Sequence, residues 1–310
     1  MKKNFNIDMI ERVEDIPPCY MGATINKIGG LENWKKMVRG ELIIRFEEAE
    51  QHLFDKNGRF IPFPGFKAAV CDPNPQNCFK KLKVNCNRLC KNLARRLAAG
   101  GIAGDLPSAS EFEERVLAIK AKLDNDPRTA NATKGVWVPW MLPKLEGDLG
   151  TNLDTLVDCV GLAYRGEYPN RTFTNYRKGA LANQVKIVAG SRHEQLVEAV
   201  SRGPVVGITL FPFGGYSVNA CVEVFTEHEM NDNIPDWLLL GGGFDTAAAY
   251  IGFAKELMKD NKTPIVRCPA MKRQSYSFHW DALDGDATFV NTDDLADAHD
   301  YCSATVSCLG

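Results

Sequence analysis

In the first part of the chain, hydrophobic residues recur at the spacing that is typical of amphipathic helices. Three stretches show this pattern and are rich in helix-favouring residues: LENWKKMVRGELIIRFEEAEQHLF, NCNRLCKNLARRLAAG and SEFEERVLAIKAKL. Between the first two, FIPFPGFKAAVCDPNPQNC is dense in proline and asparagine, which is typical of a loop. We therefore predict a mainly helical N-terminal domain over residues 1–130.

After the polar stretch DNDPRTANATK, the pattern changes to short runs of β-branched and aromatic residues, which predict strands. These runs are GVWVPW, ANQVKIVAG, GPVVGITLF, NACVEVF and TPIVRC. Two segments among them, TNLDTLVDCVGLAYRG and SRHEQLVEAVSRG, keep the helical spacing. Residues 131–310 are therefore predicted to form an α+β domain, with a helix first and strands mainly after it.

Charge and composition narrow the range of functions. The 310 residues include 37 basic and 39 acidic side chains, so the formal net charge is −2 and gives no long-range attraction for nucleic acid. The N-terminus has two lysines but no apolar run after them, which is unlike a signal peptide, and no apolar run is long enough for a transmembrane helix. We expect no nucleic-acid or membrane partner, and a cytoplasmic or virion-associated location.

The chain has ten cysteines, four of which cluster as Cys71, Cys78, Cys86 and Cys90. Zinc ligands usually come in close pairs such as C-x2-C, whereas the spacings here are x6, x7 and x3, so no metal site is predicted. Cys86 and Cys90 stand four residues apart on one face of a predicted helix, where thiols act as small buried apolar groups. Disulfides within the cluster remain an alternative in an oxidising setting.

The stretch EGDLGTNL, from Glu146 to Leu153, turns on two glycines and then enters a predicted helix. It resembles a loop of the papain-like cysteine peptidases, Gln-Gly-x-Cys-Gly-Ser-Cys-Trp, which ends at the nucleophilic cysteine on a helix N-terminus. The position of the family's oxyanion glutamine holds Glu146 here, and the position of the nucleophile holds Asn152.

Further segments resemble the same family in the same order. LVEAVSRGPVVGITLF is similar to the family's helix followed by a Gly-Pro-Val strand. LLLGGGFDTAAAYIGF resembles the strand that carries the catalytic histidine, and this position holds Thr246. PIVRCPA resembles the following strand, where the third catalytic position holds Cys268. The resemblance covers roughly residues 135–295.

This resemblance implies a papain-like fold without the catalyst. An asparagine amide cannot replace a thiolate, and Thr246 cannot accept a proton near neutral pH. Glu146 places an anion where developing negative charge needs a hydrogen-bond donor. The expected function is therefore a pseudo-peptidase that acts as a protein-binding or assembly module. Its expected partner is a protein or an extended peptide, possible assembly subunits included, and no cofactor is expected.

Two alternatives stay open. The first is a structural component of a virion or another large assembly. The second is an active cysteine-dependent hydrolase with an unrecognised site at Cys159, Cys221 or Cys268, although the apolar neighbours of Cys159 and Cys221 favour core positions. His193, at a predicted helix start, is expected to be solvated. The basic residues from Lys80 to Arg96 indicate a solvated helix face or a contact to an acidic partner.

Overall fold

The structure is a computed structural model that describes residues 30–39, 41, 52–63, 66–227, 233–283, 285–292 and 294–310. The chain divides into two compact units, Met1–Ala49 and Glu50–Gly310. The first unit contains helix α1, Leu31–Val38, which carries an ion pair between Glu32 and Lys35. The helical pattern predicted there ran on to Phe54, but residues 40 and 42–51 lie outside the described residues.

The second unit combines helices with two β-sheets, which confirms the predicted α+β class. Its α-helices are α2 (Cys86–Ala99), α3 (Ala109–Asn125), α4 (Leu149–Glu167), α5 (Glu194–Arg202), α6 (Val218–Thr226) and α7 (Gly243–Leu257). Its strands are β1 (Trp137–Leu142), β2 (Phe173–Asn175), β3 (Val185–Ile187), β4 (Val205–Leu210), β5 (Leu238–Leu240), β6 (Ile265–Arg273), β7 (Tyr276–Leu283), β8 (Asp286–Thr292), β9 (Cys302–Ala304) and β10 (Val306–Leu309). The domain boundary near residue 130 and the papain-like arrangement stay predictions; residues on both sides of that boundary belong to this unit.

The two sheets are joined through the C-terminal strands. The first sheet has the order β1-β4-β10-β5, and its neighbouring strands are all antiparallel. The second has the order β2-β8-β7-β6-β3, and β9 pairs with β6 in parallel. Only Thr305 separates β9 from β10, so the chain passes from the second sheet into the first at this residue.

Helix α7 lies in the core of this unit. Nearly all of its side chains are buried, and it packs against α4, β1, β4 and β6. A helix that is apolar on every face is stable only in such a position. The short side chains of Ala247, Ala248 and Ala249 let the neighbouring elements approach its backbone closely.

Most of the elements predicted for the second half of the chain are confirmed. GVWVPW, ANQVKIVAG, GPVVGITLF and TPIVRC overlap β1, β3, β4 and β6, and the two helical segments form α4 and α5. Strand β4 is buried along its whole length, as a continuous β-branched run requires. Gly203 ends α5 and Pro204 prevents its continuation.

Two predicted strands are wrong. NACVEVF forms helix α6, whose N-terminus is capped by Ser217 through a hydrogen bond from the Ala220 N–H. Thr246 was predicted on a strand and lies in α7 instead, because the strand ends at Leu240 and a glycine turn starts the helix. A short apolar run has the same hydrophobic pattern in a buried helix as in a buried strand, and periodicity alone cannot separate them.

Candidate functional site

The loop that precedes α4 is held by its own polar groups. Asp148 caps the helix, and its Oδ2 accepts hydrogen bonds from the Thr151 N–H at 2.7 Å and from the Thr151 hydroxyl at 2.9 Å. Backbone hydrogen bonds, first from Asn183 and then from Thr151, lower the pKa of the Asp148 carboxyl. The loop therefore presents a capped helix N-terminus, as the sequence indicates.

Asn152 and Glu146 lie together in this loop. The Asn152 side-chain amide donates a hydrogen bond to the Glu146 backbone carbonyl at 3.1 Å, which fixes the side chain within the loop. The Glu146 carboxylate is exposed and pairs with Lys144, which lowers its pKa. Glu146 thus remains an anion and an acceptor, and Asn152 has no ionisable group.

Thr246 and Cys268 lie together in the core, where both are completely buried. The Thr246 hydroxyl is 3.2 Å from the hydroxyl of Thr305. Burial raises the pKa of the Cys268 thiol to about 12, against the opposing effect of hydrogen bonds with Thr246 and Trp280. Among the described residues, no hydrogen bond links these two residues to Asn152 or Glu146.

The other core cysteines do not provide a thiolate near neutral pH. Burial raises the pKa of the Cys159 thiol to about 12 and that of Cys302 to about 11, and it also raises that of Cys221. A neutral, enclosed thiol is a weak nucleophile. Every cysteine in the described part of the chain is a free thiol, including the cluster from Cys71 to Cys90.

A buried chain of hydrogen bonds crosses the first sheet and reaches α7. The Trp140 indole N–H donates to the Thr209 hydroxyl, which lies 3.0 Å from the Ser307 hydroxyl. Ser307 donates to Asp245 Oδ2 at 2.6 Å, and the Gly242 N–H donates to Asp245 Oδ1 at 2.8 Å. This network provides a hydrogen-bond acceptor for the Gly242 N–H at the start of α7. The only signal for it in the sequence is Asp245 in the first helical turn.

The expectation that His193 is solvated is wrong, because its side chain is completely buried. Its Nδ1 lies 3.1 Å from the carbonyl oxygen of Leu240, the last residue of β5. Burial lowers the pKa of the imidazole and raises that of the Asp245 carboxyl, although each favours the charged form of the other. Its Nε2 has no hydrogen-bond partner among the described residues, and it lies close to Gly242.

One concave surface of the second unit is a groove of about 420 Å³. It lies where the segment 55–59 and the loop 73–81 meet the start of β1 and the end of β4. Asp55, Lys56, Asn57, Gly58, Arg59, Pro73, Asn77, Cys78, Phe79, Lys81, Lys134, Gly135, Val136, Phe211, Pro212, Gly214, Pro264, Cys302 and Ser303 line it. Its volume falls within the range that small-molecule and short-peptide sites occupy.

Hydrogen bonds and a close backbone contact hold the 55–59 side of the groove in place. Arg59 donates hydrogen bonds to the carbonyl oxygens of Cys71 at 2.6 Å and Gly214 at 3.1 Å. Its guanidinium therefore links the 55–59 segment to these two parts of the chain. Asp55 Oδ1 accepts from two backbone N–H groups of its own turn. Gly58, with φ of 80°, lies so close to Gly135 that an added Cβ would be 2.4 Å from the Gly135 nitrogen.

Three lysines give the groove its charge. Lys56, Lys81 and Lys134 are exposed and form no ion pair with any described residue. Beside them, the rings of Phe79 and Phe211 pack edge to face with centroids 4.8 Å apart. Free cationic groups next to a partly exposed apolar wall are suited to hold an anionic or amphipathic ligand. None of Glu146, Asn152, Thr246 and Cys268 lines this groove.

Comparison with known proteins gives no relative: no family model, no curated protein and no solved structure matches this chain. Within the described residues, no group of three or more histidine, cysteine, aspartate or glutamate side chains could hold a metal ion. None of the helices in the described part of the chain has both the length and the apolar character needed to cross a membrane.

Proposed function

We propose that this chain is a non-catalytic protein-binding module that holds an extended segment of a partner protein in the groove between the 55–59 segment and the loop 73–81. The observation that carries this proposal is the groove itself, with three unpaired lysines next to an aromatic wall. The hydrogen bonds that hold its 55–59 wall favour binding, since a preformed site costs less ordering entropy when a ligand enters.

The residues at the four papain-like positions do not support catalysis of the papain type. Cys268 and Thr246 are enclosed, and the Cys268 thiol has a raised pKa. Asn152 carries an amide at the helix N-terminus, and Glu146 carries a negative charge. We therefore propose that the chain resembles the papain-like peptidases in fold only. It lacks their catalytic residues, and it binds its partner at the groove.

A peptide-display selection tests this function. Wild-type protein, immobilised as the full chain, is expected to enrich a family of related peptides from a random library. Reversing two groove charges, with Lys81→Glu and Lys134→Glu together, is expected to weaken binding of the enriched peptides by about tenfold or more, since each lost and reversed contact costs roughly 0.5–1 kcal/mol.

The matched control is Lys186→Glu, which reverses an exposed lysine on β3 that lies outside the groove. It is expected to leave the affinities unchanged within about twofold. Peptides that bind the double variant as well as the wild type would place the binding surface elsewhere and reject the groove.

A further inference from the structure

The groove adjoins a segment of the chain whose own charged residues are all basic. Residues 73–104 contain no aspartate or glutamate. Six exposed cations in this stretch define a basic strip, made of Lys80, Lys81, Lys83, Arg88, Lys91 and Arg95. Such a local excess is notable in a chain whose formal net charge is −2.

No member of the basic strip forms an ion pair with a described residue. The buried Arg96 differs, because it pairs with Glu167 and donates to the Ile251 carbonyl oxygen. Arg88, Lys91 and Arg95 follow one another at helical spacing on the same face of α2, where like charges repel. An anionic partner would relieve this repulsion, so the strip is arranged to gain free energy on binding.

The basic strip contributes residues to two hollows of the surface. The groove contains Lys81 and Phe79, and a second hollow at the start of α2 is lined by Asn85, Asn87, Arg88, Lys91 and Asn92. The chain from residue 79 to residue 85 has neither helix nor strand, and its lysines are exposed. Lys81 and Arg88, one from each hollow, are seven residues apart, so at most about 25 Å of backbone joins them.

We infer that the partner segment is an acidic, extended peptide of about seven residues, which runs from the groove along the basic strip to the second hollow. This inference rests on the proposed function and adds the chemistry of the ligand. Carboxylates meet the lysines and arginines, and the asparagine side chains offer donors and acceptors to a peptide backbone.

A protein segment fits this surface better than nucleic acid does. The two groove phenylalanines pack edge to face, so their ring planes are not parallel and do not form one continuous platform for stacked bases. The strip is also short, and the rest of the chain supplies no excess of positive charge that would attract a long polyanion.

Fluorescence anisotropy with the full chain tests this assignment. The probes are a labelled peptide of about eight residues with alternating glutamates, the same peptide with glutamine in place of glutamate, and a single-stranded DNA oligonucleotide of equal charge. The glutamate peptide is expected to bind about tenfold more tightly than the other two, and to weaken as salt rises from about 50 to about 300 mM.

Charge reversal locates the site. Lys83→Glu combined with Lys91→Glu changes the strip outside the groove, and it is expected to weaken glutamate-peptide binding by about tenfold, whereas Lys186→Glu changes it less than about twofold. Equal affinity for both peptides, tighter binding of the oligonucleotide, or no effect of the double variant would overturn the inference. Self-association of the chain at low salt that the double variant removes would assign the strip to a second copy instead.

Peptide binding at the groove and the acidic character of the partner can be tested separately. If display-selected neutral peptides depend on Lys81 and Lys134 but glutamate brings no preference, the binding function stands and the acidic partner is rejected. If no peptide depends on the groove or on the strip, both are rejected.

Discussion

Replacing Gly150 with alanine is expected to destabilise the protein by about 3 kcal/mol or more, the upper range for forcing extra atoms into a packed core. A Cβ at this position would lie 1.8 Å from the Leu181 carbonyl oxygen and 2.4 Å from its carbon. These are backbone atoms, so the contact cannot be relieved by a rotamer change. The glycine therefore serves the close approach of α4 to the chain at Leu181, independently of any chemistry.

Gly166→Ala is the matched control, because it lies in the same helix with nothing within 4 Å of the added Cβ. It is exposed, and alanine is expected to be neutral or to stabilise the helix by about 0.5 kcal/mol. Chemical denaturation of both variants gives the two free energies of unfolding. Similar values for the two variants would contradict the packing assigned to Gly150.

Replacing Asp245 with alanine is expected to cost about 3–5 kcal/mol of unfolding free energy, as for other broken buried polar networks. The change leaves the Gly242 N–H without its acceptor and removes the acceptor of the Ser307 hydroxyl. It also removes buried volume in the first turn of α7, where Asp245 is completely buried. Thermal or chemical unfolding near neutral pH measures the loss.

Asp245→Asn separates hydrogen bonding from charge. Its amide oxygen can still accept from Gly242, and its amide nitrogen can donate to Ser307, so it is expected to keep most of the stability. Burial raises the pKa of the Asp245 carboxyl above 3.8, so unfolding releases a proton and the wild type loses stability as pH rises from there through the folded-state pKa. The asparagine variant lacks this loss and is expected to gain on the wild type from acidic toward neutral pH. A loss as large as that of Asp245→Ala near neutral pH would refute this account.

The sequence predicts well those helices and strands whose hydrophobic pattern, length and flanking residues all favour the same structure. Helix α4 has a long amphipathic segment with an aspartate cap, and β4 is a β-branched run that starts directly after a glycine and a proline. In both cases local preference and burial favour the same structure.

The errors come from short apolar segments. Helix α7 is buried almost throughout, so it lacks the polar face that would mark a helix, and α6 is a nine-residue helix whose apolar and β-branched residues resemble those of a strand. The decisive signals were local caps, Ser217 for α6 and Asp245 for α7, and both are short polar residues that are also common in turns.

The groove could not be predicted, because tertiary packing brings its walls together from segments as distant as Asp55 and Ser303. Only part of its charge was visible in advance, because Lys81 belongs to the basic residues from Lys80 to Arg96, for which an acidic partner was one of two interpretations. The four positions taken from the papain-like resemblance form two separate pairs, Glu146 with Asn152 and Thr246 with Cys268. That these positions descend from a papain-like active site stays a prediction.

The central claim is that this protein binds a peptide and leaves it intact. The most direct measurement is mass spectrometry of a groove-selected peptide after prolonged incubation with saturating protein near neutral pH, with binding confirmed in the same sample. The account predicts a bound peptide of unchanged mass. Cleavage by the wild type that disappears when a single cysteine, such as Cys78 in the groove, is changed to serine would contradict it.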